Sequence, residues 1–424
     1  EIVLTPDWEK RFLKKFSFAP LVWNSEITKK EKKKIWLSAL NGSAGVIVGA
    51  RSALMIPILN LGLIIVDEEH DQAFKQEENV RYNARDMAIY RSTRSSAPIV
   101  LASATPSLET FFNAKRGKYI HLSLPKRATG ATLPYIKLID LITHPPGKGK
   151  WLSPLLVGEI ESKLNNKEQS LLFLNRRGYA PLSICNSCGD KIKCINCDTW
   201  LVEHRSKNKL VCHHCGYSRT FENVCKKCGI EGQIKACGPG VERIEEEIKE
   251  IFPKARLIVL SSDTMNNHKI LNDTVEKIKN NKVDIVIGTQ MIAKGHDFPN
   301  LKLVGIVDSD VGLSGGDLRA SERTFQVLQQ VSGRSGRHSK KEEEKGVVLI
   351  QTHDSKNPII NAISKNNRNE FFDKELMSRQ NANMPPFGRL ASIILSSRLE
   401  RKLEIFSSEL LKLAPLFKNV KIFG

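Results

Sequence analysis

Leu61-Gly62-Leu63-Ile64-Ile65-Val66-Asp67-Glu68-Glu69-His70 is the stretch on which the fold turns. An apolar run without polar alternation stops abruptly at an acidic cluster. Branched aliphatic residues with no polar face suit a strand buried on both sides, as in a parallel sheet covered by helices. In an open parallel sheet, ligands bind beyond the C-terminal ends of the strands. The run therefore predicts a strand that delivers Asp67 and Glu68 to that edge. Asp67 there can hold Mg²⁺ through water, and Glu68 can polarise a water that attacks a terminal phosphate. Such a cluster also serves elsewhere as a helix cap or loop surface, so its meaning depends on the rest of the chain.

Outward from this stretch, apolar runs of the same kind recur at 2–4, 45–48, 99–102, 171–174, 257–260, 284–287, 301–307 and 346–350. Segments 241–251 and 320–331 between them carry apolar residues at helical spacing. Alternation of this sort predicts an α/β protein with parallel sheets. Gly, Pro and basic residues at 125–132 and 144–150 read as a linker between two such lobes. The 424 residues, 41% hydrophobic and 26% charged, exclude disordered and collagen-like classes. No apolar run reaches the roughly 18–20 residues that span a bilayer, so no membrane partner is expected. The first residues lack a signal-peptide layout. A start on Glu1, inside an apolar run, predicts a fragment of a longer protein. Lys and Arg total 65 against 46 Asp and Glu, a net charge of +19. That excess favours a polyanionic partner, since each neutralised phosphate releases counterions. The lysine-rich runs at 29–34 and 340–345 read equally well as solvated surface.

Eight of the nine cysteines form four Cys-x-x-Cys pairs: Cys185/Cys188, Cys194/Cys197, Cys212/Cys215 and Cys225/Cys228. Two thiolates at this spacing present both sulfurs to one metal, and two pairs complete a tetrahedral zinc shell. Four pairs predict two structural Zn²⁺ ions, each closed to catalysis by four protein ligands. The loop from Cys197 to Cys212 has the size of a zinc ribbon, which favours the second pair with the third and leaves the first with the fourth. Cys237 is left over as a plain thiol, and His213 and His214 read as neighbours of the site rather than ligands.

Further motifs bear on catalysis. Val100-Leu101-Ala102-Ser103-Ala104-Thr105-Pro106 ends a second strand in small hydroxyl residues. DEEH followed by SATP has the layout of motifs II and III of superfamily 2 helicases. Ile287-Gly288-Thr289-Gln290-Met291-Ile292-Ala293-Lys294-Gly295-His296-Asp297-Phe298 is similar to motif V. Gln330-Val331-Ser332-Gly333-Arg334-Ser335-Gly336-Arg337 fits Q-x-x-G-R-x-G-R, motif VI. Arginine suits such a place because its planar, permanently charged fork pairs with phosphate oxygens.

Taken together, the chain resembles the bacterial replication-restart helicase family PriA, also called primosomal protein N′. The likeness covers essentially the whole sequence. It rests on Glu1-Ile2-x-Leu4-Thr5-Pro6, Gly49-x-Arg51-Ser52-Ala53-Leu54, the DEEH and SATP segments and Phe173-Leu174-Asn175-Arg176-Arg177-Gly178. It extends to the four cysteine pairs, the motif V and VI segments, Ala320-Ser321-Glu322-Arg323 and Met384-Pro385-Pro386-Phe387. The eight-cysteine insertion ahead of motif V makes the match specific.

The resemblance implies two RecA-like lobes that sandwich ATP and Mg²⁺, and a 3′-to-5′ DNA helicase that recognises abandoned forks and starts primosome assembly. It implies a first lobe at 1–127, linker and start of the second lobe at 128–180, a two-zinc insertion at 181–236, the rest of the second lobe at 237–380 and the start of a C-terminal domain at 381–424. Asp67, Glu68, Gln330, Arg334 and Arg337 would be catalytic, with Gly295 and Asp297 also at the nucleotide. Thr5, Arg51, Arg81, Tyr82, Arg85, Gly288, Thr289 and Lys294 would touch DNA. Cys185, Cys188, Cys225 and Cys228 would hold one zinc, and Cys194, Cys197, Cys212 and Cys215 the other. Implied partners are forked and single-stranded DNA, single-stranded-DNA-binding protein, primosome proteins, and the replicative helicase with its loader, in the cytoplasm at the nucleoid.

The chain departs from the family pattern in places. Nothing in 1–424 matches G-x-x-x-x-G-K-[ST], which is expected upstream of Glu1. Val80 and Asn83 replace usual residues in the loop after motif II. A non-hydrolysing, zinc-dependent fork-binding scaffold is the alternative reading, and a zinc-ribbon nuclease or modification translocase subunit a more distant one.

Overall fold

A computed structural model describes residues 6–76, 80–124, 130–175, 182–185, 187–190, 192–195, 201–204, 209–212, 217–232, 234–237, 240–260, 268–293, 298–310, 313, 318–339, 345–391, 393, 395, 397, 399–414, 420 and 422. The chain divides into two compact units, Glu1–Glu375 and Leu376–Gly424.

The larger unit is dominated by a six-stranded parallel sheet. Its strands lie in the order Leu257–Leu260, Ile285–Gly288, Gln169–Phe173, Leu301–Ile306, Val347–Thr352 and Tyr135–Asp140. The central strand Gln169–Phe173 is buried along its whole length. Leu171, Leu172 and Phe173 have no exposed surface, as expected for a continuous apolar run between two helical layers. Helix Pro154–Asn165 covers one face. Ser153 caps its start by accepting the Leu156 N–H, and proline occupies its first turn. Leu156 and Ile160, one turn apart, are both fully buried against the sheet. The helix can approach closely because Gly305 lies beneath it, where a Cβ would come within 2.8 Å of Leu156 Cδ1. Truncating Leu156 to alanine would cost about 2–5 kcal/mol at such a site.

One strand of this sheet has no continuous apolar run behind it. Tyr135–Asp140, within the segment taken for linker and lobe start, forms the edge strand beside Val347–Thr352. Tyr135 and Lys137 are exposed, Ile136 and Ile139 are buried and Leu138 is half-buried. Lys137 separates its apolar residues, so the segment shows no continuous run.

The first lobe differs from the sequence expectation. Its described strands form three separate pairs, Leu21–Trp23 with Ile47–Gly49 and Ile64–Asp67 with Ile99–Ala102, both parallel, and the short antiparallel Lys75–Gln76 with Tyr82–Asn83. The DEEH strand is not buried on both faces: Ile65 is 64% exposed and its neighbour Val100 46%. Nothing among the described residues covers that face. Segment 2–4, read as a strand, lies outside the described residues.

The cysteine-rich insertion is antiparallel. Its five strands lie in the order Ser218–Thr220, Lys209–Val211, Val202–His204, Leu182–Cys185 and Ile234–Cys237. The last leads into helix Val241–Ile251, which returns the chain to the second lobe with Ile244 and Ile248 in its core. The smaller unit contains helix Glu400–Leu413. No described helix is long and apolar enough to cross a membrane.

Candidate active site and metal centre

The DEEH strand places its acidic residues at the carboxyl end of Ile64–Asp67, as predicted, with Asp67 opposite Ala102. The chain then turns sharply. Glu68 has φ 47°, in the left-handed region that costs a non-glycine residue energy, and its N–H donates to Asp67 Oδ1 at 3.0 Å. Asp67 and Glu68 remain exposed, whereas Glu69 is turned inward and is 1% exposed. The buried Glu69 carboxylate accepts from Ser107 N at 2.6 Å, Thr110 Oγ1 at 2.9 Å and Arg85 Nη1 at 3.2 Å.

Motifs II, III and VI meet at His70. Its Nδ1 lies 2.7 Å from Ser103 Oγ and 3.5 Å from Glu68 Oε2. The Gln330 side-chain nitrogen lies 3.0 Å from His70 Nε2 and 3.3 Å from Glu68 Oε2. An amide nitrogen only donates, so His70 Nε2 must accept. The other ring nitrogen, Nδ1, faces Ser103 Oγ. Ser103 Oγ accepts from the Thr105 N–H at 2.9 Å. The Glu68 carboxyl is held above the ordinary glutamate range by desolvation in the cleft and by the Asp67 charge. Arg334 and the Gln330 hydrogen bond pull the other way. Arg334 is 7% exposed and Arg337 partly so, with the Arg337 Nε donating to Gly333 O at 3.1 Å.

The structure thus brings Asp67, Glu68, Gln330 and Arg334 into one electrostatic neighbourhood. Gly295, Asp297 and Lys294 lie outside the described residues, as does Thr5. Among the other expected DNA contacts, Arg51 donates to Lys75 O at 2.9 Å. Arg81 is exposed, and Tyr82 is half-buried in the short strand Tyr82–Asn83. Gly288 ends a buried strand where a Cβ would come within 3.1 Å of Ile292, and the Thr289 N–H donates to Leu260 O at 3.3 Å. Arg85 is placed differently from the expectation. It is buried, and its guanidinium bonds Glu69, Asp86 and Ser107. In this geometry it braces the DEEH turn and offers little surface to a ligand.

Sequence reasoning missed most contacts between the lobes. The segment after motif III in the first lobe is bonded to second-lobe helices Ala320–Ser332 and Arg368–Asn381. Arg319 pairs with both Glu109 oxygens at 2.5 and 3.2 Å. Arg368 donates to Ala104 O at 2.8 Å, and Lys115 meets Asp373 at 2.7 Å. Phe111 packs on Phe372 with ring centres 4.7 Å apart, beside the stacked pair Phe325 and Phe371. Partners more than 200 positions apart leave no local pattern to read.

Four thiols converge as the spacing predicted. The sulfurs of Cys185, Cys188, Cys225 and Cys228 lie within 4.8 Å of one another. Cys185 to Cys228 is 3.7 Å and Cys188 to Cys225 is 3.6 Å. A tetrahedron of thiolates about 2.3 Å from zinc has edges of about 3.8 Å, so the cluster fits that ion. Its two halves are alike: Gly189 and Gly229 both adopt the left-handed conformation and donate to Cys185 O and Cys225 O at 2.8 Å. Burial pushes the Cys188 thiol up to about 12. Working against burial, the backbone N–H groups of Cys228 and Lys227 help bring Cys225 down to about 7. Cys194 and Cys212 are buried in a second cluster with Leu201 and Leu210. Cys197 and Cys215 lie outside the described residues.

Comparison with known proteins agrees with this arrangement. The pattern of the PriA DNA helicase Cys-rich region matches residues 194–219, and that of the helicase conserved C-terminal domain matches 221–339. Replication restart protein PriA of Rickettsia felis is 45% identical over all 424 residues, which cover 65% of that protein. PriA of Bacillus subtilis is 38% identical over 397 residues, 93% of this chain and 49% of that one. PriA of Haemophilus influenzae is 37% identical over 424 residues, 100% of this chain and 57% of that protein. The chain therefore spans from about half to just under two thirds of these relatives. Among solved structures, RecG bound to a three-way DNA junction aligns over 96% of this chain and 42% of its own, with 15% identity and a TM-score of 0.45.

Proposed function

The chain belongs to the PriA family of replication restart proteins, and from that premise we propose that the full-length protein is an ATP-driven 3′-to-5′ DNA helicase. It recognises abandoned or stalled forks and initiates primosome assembly. The observation that carries this reading is Gln330, which donates to both Glu68 and His70. A residue of the second lobe thereby senses the group expected to activate water in the first.

In this proposal Asp67 would hold Mg²⁺, which would supply neutralisation of phosphate charge. Glu68 orients and polarises the attacking water, and its raised proton affinity suits a group that accepts a proton during hydrolysis. Arg334 and Arg337 meet the charge that develops on the terminal phosphate. Ser103, through His70, reports the state of that site to motif III. Thr5, Arg51, Arg81, Tyr82, Gly288, Thr289 and Lys294 contact the DNA, and Gly295 and Asp297 the nucleotide side of motif V. Two zinc ions staple the insertion, one on Cys185, Cys188, Cys225 and Cys228, the other on Cys194, Cys197, Cys212 and Cys215. Single-stranded-DNA-binding protein, primosome proteins and the replicative helicase with its loader are the partners, at the nucleoid in the cytoplasm.

The test is DNA-stimulated ATP hydrolysis by the full-length protein. Glu68→Gln should lower kcat by roughly a hundredfold or more, the usual worth of a positioned base. A Glu68→Gln variant that hydrolyses ATP normally would overturn the assignment. A wild-type protein that binds forks without hydrolysing ATP would leave a zinc-dependent scaffold instead.

A further inference from the structure

Helix Ala320–Ser332 turns one polar stripe toward the first lobe. Glu322, Gln326 and Gln330 follow one another at the four-residue spacing that puts side chains on one helix face. Each bonds a different part of the motif II–III region. Glu322 Oε1 accepts the Leu108 N–H at 2.8 Å. Gln326 Nε2 donates to Thr105 O at 3.3 Å. Gln330 reaches His70 and Glu68. Glu322 and Gln326 are 2% and 6% exposed, so neither is a solvated surface group.

The partner of Glu322 matters as much as its burial. Leu108 begins helix Leu108–Lys115, whose cap is Ser107. The first N–H groups of a helix have no partner within it and carry the positive end of its dipole. Here two adjacent N–H groups are taken by carboxylates from opposite lobes, Ser107 by Glu69 at 2.6 Å and Leu108 by Glu322 at 2.8 Å. Glu69 is the next residue after Glu68. The second-lobe helix is therefore tied to the DEEH turn at both ends, at Glu68 through Gln330 and at Glu69 through Leu108, Ser107 and Glu322.

A contact at Gln330 alone would leave this helix free to pivot about that point. Contacts about 12 Å apart along the axis fix its direction as well. Direction decides where Arg334, in the turn just beyond the helix, lies relative to Glu68. From this geometry, and resting on the hydrolytic reading above, we propose that Glu322 and Gln326 are positioning residues for ATP hydrolysis, aligning motif VI on motif II without touching nucleotide or DNA. Arg319 with Glu109 supports the same end of the helix from outside.

The experiment compares Glu322→Ala, Glu322→Gln, Gln326→Ala and Glu68→Gln in the full-length protein, by steady-state ATPase with saturating single-stranded DNA. Glu322→Ala should lower kcat on the order of tenfold or more, as for a small misplacement of catalytic groups. KM for ATP and DNA affinity should stay within about threefold, because no ligand contact is lost. Glu322→Gln should recover most of the activity, since its amide oxygen still accepts the Leu108 N–H. Should Glu322→Ala fail to fold, Gln326→Ala, which removes only the long bonds to Thr105 O at 3.3 Å and Pro106 O at 3.5 Å, must still show the selective loss of kcat. Wild-type kcat in Glu322→Ala or Gln326→Ala would overturn the proposal while an inactive Glu68→Gln leaves the hydrolytic reading in place. So would a loss carried wholly by KM, or a Glu322→Gln as defective as Glu322→Ala. Normal hydrolysis in Glu68→Gln would instead remove the reading beneath it.

Discussion

Glu68 and Glu69 are neighbours in sequence and opposites in environment: 49% of the Glu68 side chain is open to solvent and none of Glu69. The left-handed backbone at Glu68 turns one carboxylate to the cleft and the other into the lobe. Their substitutions should therefore separate cleanly. Glu69→Ala takes from Arg85 its buried counter-charge, leaving only the exposed Asp86, and strips acceptors from Ser107 and Thr110. Removing one member of a buried ion pair costs about 3–5 kcal/mol. Denaturant unfolding should show that loss for Glu69→Ala and a change within about 0.5 kcal/mol for Glu68→Gln.

Gln330→Ala tests the junction of the motifs. It removes the donor to His70 and Glu68 together, while Arg334 and Arg337 stay in place. DNA-stimulated kcat should fall about tenfold, equivalent to about 1.4 kcal/mol of barrier. His70→Ala, lacking the acceptor and the link to Ser103, should give a loss of similar size. If Gln330→Ala and His70→Ala together cost as much as the sum of each alone, the two residues do not act as one unit.

The acid side of the pH–rate profile should carry the signature of Glu68. Its carboxyl is raised above the ordinary value of 4.5, so activity that needs the carboxylate is lost as pH falls through a value higher than that. Asp67 raises Glu68 and Arg334 lowers it. In residual activity, Asp67→Asn should move the acid limb to lower pH and Arg334→Ala to higher pH. An unmoved limb in both variants would assign it to another group.

Metal analysis should give two zinc ions per chain. Cys225→Ser should remove one, because it opens the shell shared with Cys185, Cys188 and Cys228. The other should remain, since Cys194 and Cys212 occupy a separate buried cluster. A single zinc in the wild-type protein would refute the double site.

Much of the fold was legible because its signals are local. Helix Val241–Ile251 and the strands Leu257–Leu260 and Ile99–Ala102 fall where apolar spacing put them. The four convergent thiols are the set that loop length favoured and the family resemblance implied. Other features depend on distant partners. Glu247 lies on the buried side of Val241–Ile251, a position that reads as solvated until it is seen to accept from the N–H groups of Trp151 and Leu152 at 2.8 and 3.2 Å. Arg85 looked like a basic contact for a polyanion because its counter-charge, Glu69, sits in another motif. Tyr135–Asp140 gives a weak signal because Lys137 interrupts its apolar residues.

The insertion leaves and re-enters the lobe through a two-stranded stem. Leu182–Cys185 and Ile234–Cys237 run antiparallel in full register, Ile234 opposite Cys185 and Cys237 opposite Leu182. A pull on the cysteine tip is carried along both backbones at once, while the rungs between them keep the stem from bending. The tip is thus carried on a mechanically stiff handle. Any displacement imposed there is delivered to the start of helix Val241–Ile251 with little lost to stretching on the way.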